Sequence, residues 1–194
     1  MNNDIILKIH SLPQSVFSLG ELSLLFPDIE YPNLRRRMRY FTKVGKLKRL
    51  HQGIYAKIEY NPLELANKLY KPSYISLETV LAKKGVVFQY YERIFVVSYL
   101  TREIKINDII VQYRQIKAGV LTNMEGIESE NGYFIASLER AFLDALYIYK
   151  DYHFDNLGAL NWENVFNLQA IYKSSALNKR VKDYYKDYKK DNVK

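Results

Sequence analysis

Along the chain the apolar positions change spacing, and each change marks an element. Ile5, Ile6 and Ile9 fall on one side of a short helix over Asp4 to His10, which Pro13 ends. Ser18 and Glu21 have the S-x-x-E spacing of a capping box, in which each side chain satisfies a first-turn amide. The helix they open turns Leu22, Leu25 and Phe26 inward and closes at Pro27-Asp28. A few residues later Pro32 sits where a helix accepts proline, at its first position, and Gly45 follows as a left-handed stop. Between them Leu34, Met38 and Phe41 recur at i, i+4 and i+7, a single apolar stripe. The period then drops to two. KLKRL and IYAKI alternate on either side of His51-Gln52-Gly53 and predict a hairpin.

Asn61-Pro62 starts a further helix, with Leu63, Leu65, Ala66 and Leu69 apolar, ending near Lys71-Pro72. It reads either as a connector between domains or as the fourth helix of the N-terminal one. SYISLETVLAKKGVV predicts a short extended piece and a helix capped by Ser76 and stopped by Gly85. Strand-like runs follow over Arg93 to Thr101 and on both sides of the turn pair Asn107-Asp108. Another hairpin signal lies at Asn131-Gly132 and leads into GYFIA. Ser137 caps a helix whose wide apolar face is Leu138, Ala141, Phe142, Ala145 and Leu146. NWENVFNLQAIY and SSALNKRVKDYYKDYKK predict closing helices, with the last four residues frayed. The fold class expected is α+β: a winged helix-turn-helix over residues 1–60, then a mixed α+β domain over 61–194 that ends in helices.

Charge sharpens this picture. Between Asn33 and Lys57 stand nine basic residues and no Asp or Glu, where an average window of that length would hold about four basic groups. Residues 1–57 carry ten basic and four acidic groups, a net +6, while residues 58–150 carry eleven of each. A basic head on a neutral body points to a polyanion as the head's partner. At 100° per residue Arg36, Arg39 and Lys43 lie opposite the apolar stripe, Arg35 and Tyr40 flank it, and Arg37 snorkels from its edge. The candidate DNA contacts are therefore Asn33, Arg35, Arg36, Arg39, Tyr40 and Lys43 on the helix. Lys46, Lys48, Arg49 and His51 join them from the hairpin, with a basic helix for the major groove and a wing along phosphates. A solvated basic helix and a surface hairpin are the competing reading.

Other chemistry has little to stand on. There is no cysteine, which excludes disulfides, thiol catalysis and cysteine-ligated metal. No apolar run approaches membrane-spanning length and MNNDIILKIH lacks a signal-peptide plan, so a cytoplasmic protein without membrane contact is expected. The glycines form no phosphate cradle, and His10, His51 and His153 are scattered, so no cofactor, metal or catalytic set is expected. Glu78, Glu92, Asp108, Glu139 and Asp144 read as helix surface and salt bridges; their gathering into an enzymatic site is the alternative. The 18 tyrosines read as core and edge filler, although aromatics among lysines can also stack on single-stranded nucleic acid.

Three stretches together resemble the antitoxin of the abortive-infection AbiE system, a bacterial family classed with type IV toxin–antitoxin pairs. They are GKLKRLHQGIY (45–55), SYISLETVLAKKG (73–85) and IASLERAFLDALY (135–147). The resemblance implies a winged domain that represses its own operon by binding inverted repeats in double-stranded DNA. It also implies a second domain that neutralises a nucleotidyltransferase-like toxin. The protein is then a monomer or weak dimer, cooperative on DNA, and not an enzyme. A stand-alone winged-helix regulator, or an antitoxin that modifies its toxin chemically, is the alternative. The two functions are expected to separate, with residues 1–60 alone retaining weak DNA binding and residues 61–194 alone suppressing the toxin.

Overall fold

The computed structural model describes residues 2–192 and is mixed α+β. The final helix runs through Asp191 and Asn192, two of the four residues for which fraying is expected. For Val193 and Lys194 that expectation lies outside the described residues. The chain divides into two compact units: residues up to Leu69 together with Asn131–Tyr133, and Tyr70–Glu130 together with Phe134 onward.

The first unit runs α1 (Asn2–Ser11), β1 (Val16–Ser18), α2 (Leu19–Leu25), α3 (Tyr31–Lys43), β2 (Lys48–His51), β3 (Ile54–Ala56) and α4 (Pro62–Leu69). Its sheet has the order β1-β3-β2, antiparallel throughout. The periodic residues of the first three helices meet as one core, where Ile5, Ile6, Ile9, Leu22, Leu34, Met38 and Phe41 are all buried with Phe17 and Tyr55 from the sheet. The capping box forms, with Ser18 Oγ accepting from Glu21 N at 3.1 Å and Glu21 Oε2 accepting from Ser18 N at 2.9 Å. Strand β1 has no counterpart among the sequence expectations; three residues are too few to show a period.

Helix α4 buries polar residues as well as apolar ones. Glu64 accepts from Ser15 N and Ser15 Oγ at 2.7 and 2.6 Å. Lys68 donates to the Val16 carbonyl at 2.6 Å and pairs with Glu21 at 3.1 Å and Glu64 at 3.4 Å. These bonds make α4 part of the first unit, so the unit extends to Leu69 where the sequence pattern predicts a boundary at 60.

The second unit comprises β4 (Ser73–Ile75), α5 (Glu78–Lys83), β5 (Arg93–Ser98), β6 (Arg102–Ile106), β7 (Ile109–Gln115), α6 (Ala118–Leu121), β8 (Ile127–Glu130), all but the first residue of β9 (Tyr133–Ala136), α7 (Leu138–Tyr149), α8 (Trp162–Leu168) and α9 (Ser175–Asn192). The six-stranded sheet is mixed, in the order β6-β7-β5-β4-β9-β8. β4 pairs antiparallel with β5 and parallel with β9, and β5 pairs parallel with β7. Phe95 to Ser98 are buried consecutively, as in a strand covered on both faces. Asn107 and Asn131 take positive φ in the turns where the sequence pattern places hairpins. Helix α7 packs against α5, α8 and α9, and Phe142 anchors an aromatic cluster with Phe154 and Trp162 at 4.7 and 5.9 Å.

Two local expectations change. Ser76 does not cap α5: its hydroxyl is turned to Asp144, and the cap position is Leu77, buried at φ 56° with no side-chain bond to the helix. The amphipathic run that α8 begins breaks after Leu168 into a 3-10 turn over Gln169–Tyr172.

Candidate nucleic-acid interface

Helix α3 owes its ends to its sequence. Proline stands in its first turn, and Gly45 follows the cap at φ 71°. Lys46 N donates to the Phe41 carbonyl at 2.9 Å and Gly45 N to that of Thr42 at 3.2 Å, the paired bonds of a glycine-terminated helix. Thirteen residues make a rod of about 20 Å. Leu34, Met38 and Phe41 are buried, each stabilising the fold by about 1.5–3 kcal/mol, and this fixes which way the helix faces. Arg35, Arg36, Arg39, Tyr40 and Lys43 are consequently exposed, and Arg37 is half-buried at the margin.

The hairpin continues the basic surface. β3 is the central strand and Ile54, Tyr55 and Ala56 are all buried in it, whereas β2 lies at the edge with Lys48, Arg49 and His51 exposed. The turn is Gln52-Gly53 with Gly53 at φ 74°; His51 ends β2, although the sequence pattern places it in the turn. A register shift between Arg49 and His51 breaks the ladder there. The side chains of Arg35, Arg39, Lys43, Lys46 and Arg49 make no hydrogen bond, ion pair or ring contact among the described residues. Lys48 lies 5.7 Å from the centre of the Tyr60 ring.

All ten predicted contacts thus belong to one unit. Asn33 differs from the others in being half-buried with its side chain engaged: Nδ2 donates to Glu30 Oε2 at 3.2 Å, and Oδ1 accepts from Arg36 Nη2 at 3.1 Å. Glu30 is absent from the sequence-derived set, although its spacing of three from Asn33, and Asn33's of three from Arg36, is the signal that would find it.

The carboxylates of the second unit are not all surface groups, contrary to the expectation from sequence. Asp144 is fully buried and accepts from Tyr172 Oη at 2.7 Å, Ser76 Oγ at 2.8 Å and Tyr74 Oη at 3.1 Å. Arg140, one turn earlier and equally buried, lies 3.5 Å from it and donates to the carbonyls of Val120 and Glu125 at 2.7 and 2.8 Å. Burial pushes the Asp144 carboxyl up, opposed by the Arg140 guanidinium and the three hydroxyls. Glu78 is 5% exposed and takes a hydrogen bond from Tyr149 Oη at 3.1 Å; burial raises its pKa. Spacing along α7 hides the Asp144 cluster, because its partners come from β4, the turn after β4 and the 3-10 turn.

No group of three or more histidines and carboxylates placed to hold a metal ion occurs among the described residues. No helix among them is long and apolar enough to cross a membrane. Comparison with protein-family models and with curated proteins finds no match.

Proposed function

We propose that this chain is the antitoxin of a bacterial toxin–antitoxin pair and represses its own operon by binding an inverted repeat in double-stranded DNA. Its first unit acts as a winged helix-turn-helix, with α3 as recognition helix and the β2–β3 hairpin as wing. One observation carries the DNA reading: the solvent face of α3 is cationic, and the side chains of Arg35, Arg39 and Lys43 have no acceptor within the described residues. Unpartnered guanidinium and ammonium groups on a rod of major-groove size favour phosphate and base edges as their partners. Cations on an edge strand also discourage strand pairing, which accounts for β2 alone but not for α3.

The antitoxin half rests on the three stretches that resemble the AbiE family. In the second unit two of them meet, since Tyr74 and Ser76 bond to Asp144 and Tyr74 bonds to Arg140. Those stretches hold the fold together, and the reading assigns no catalysis to Asp144.

Changing Arg36, Arg39 and Lys43 together to alanine is expected to abolish operator binding in a gel assay while the far-ultraviolet spectrum is kept. Every phosphate interaction removed lowers the salt slope by about one. A triple variant that shifts operator DNA like wild type overturns the interface, and preference for single-stranded RNA over duplex in competition replaces DNA by RNA. Co-expression with a nucleotidyltransferase-like neighbouring gene product tests the antitoxin role, which fails if growth arrest is not relieved.

A further inference from the structure

Resting on the DNA reading above, we propose that Arg36 reads a guanine edge in the major groove and that Glu30 and Asn33 hold it in register. The cations of α3 are not equivalent. The side chains of Arg35, Arg39 and Lys43 have no partner among the described residues, as suits groups that meet phosphates wherever they lie. Arg36 has one nitrogen tied to Asn33 Oδ1 at 3.1 Å, and Asn33 is tied in turn to Glu30 Oε2 at 3.2 Å. The three side chains, spaced by three residues, form a chain along the first two turns of the helix. That is the end of a recognition helix that approaches base edges.

Arginine recognises guanine through two parallel N–H donors to O6 and N7, an interaction that depends on the orientation of a planar fork. An arginine already held by a neighbour loses less freedom on binding than a free one. Asn33 is the competing reader, for adenine: the chain uses one N–H and one lone pair of its amide, so enrichment of adenine rather than guanine would assign the reading to Asn33. Glu30 supports the same assignment. It occupies the cap position of α3, yet its side chain bonds no backbone amide of the helix and goes to Asn33 instead. A carboxylate beside a phosphate-binding face opposes binding, so its place there is accounted for by orientation.

The test uses the full chain and a randomised pool of duplex DNA, with base preference read from the enriched sequences and affinity from titrations at several salt concentrations. Wild type is expected to enrich guanine at a fixed position. Arg36→Lys keeps the charge and loses the fork, so preference for that guanine falls about tenfold or more. Lys43→Ala instead weakens binding to all duplexes alike, with a salt slope lower by about one. Glu30→Ala flattens the guanine preference while binding to unrelated duplexes tightens; a merely structural cap would lower the melting temperature and leave base preference intact. The proposal is overturned if Arg36→Lys retains the guanine preference, or if wild type binds duplexes without enriching guanine, in which case the DNA reading stands. Absence of any duplex binding by wild type overturns both.

Discussion

At the scale of single residues, Glu78 shows how burial sets a pH dependence. Its carboxyl is nearly sealed, and burial raises its pKa above the ordinary 4.5, opposed by hydrogen bonds from its own backbone and Tyr149 and by the Arg114 charge. A folded-state pKa above the unfolded one means that the folded protein binds its proton more tightly. The stability this contributes is fully present below the unfolded value and is lost as pH rises through the raised folded value. Glu78→Gln removes that dependence. Melting temperatures of wild type and Glu78→Gln, measured at intervals from pH 4 to pH 8, are expected to move in the variant's favour as pH rises. A constant difference across the range would count against a raised pKa.

At the scale of elements, the second unit is joined by a polar knot. Asp144 on α7 ties in Tyr74 on β4, Ser76 in the turn after it and Tyr172 in the 3-10 turn, and Arg140 reaches the Val120 carbonyl on α6. A buried ion pair is not in itself a strong source of stability, but removing one partner strands the other in a medium that cannot solvate it. Asp144→Ala is expected to lower unfolding free energy by about 3–5 kcal/mol in urea titration. A loss below about 1 kcal/mol would mean that water or a rearranged hydroxyl replaces the carboxylate.

At the scale of the whole molecule, the question is where the first unit ends. Glu64 and Lys68 on α4 bond to Ser15, Val16 and Glu21, and a chain cut at residue 60 takes those bonds away and removes the buried Leu65 and Ala66 from the unit. Residues 1–60 are therefore expected to melt well below residues 1–70 and to bind duplex DNA correspondingly less. Equal melting of the two fragments would show that α4 adds nothing to the first unit.

How much of this is legible in advance depends on distance along the chain. Sequence alone determined what local physics controls: the stripe Leu34–Met38–Phe41, the Ser18–Glu21 box, the stop at Gly45, the turns at Asn107 and Asn131, and the concentration of cations before Lys57. Each follows from a period or a conformational preference that a few neighbouring residues express, and the cations of α3 follow because a core stripe dictates the opposite face. Tertiary structure alone decided the rest. Ser76 satisfies a buried carboxylate rather than a helix end, Asp144 is buried rather than solvated, β1 exists because β3 offers it a ladder, and α4 belongs with the first unit through partners about 50 residues away. The physical reason is common to all four: a polar group or a short strand has several local options of similar energy, and only the groups that folding brings beside it select among them.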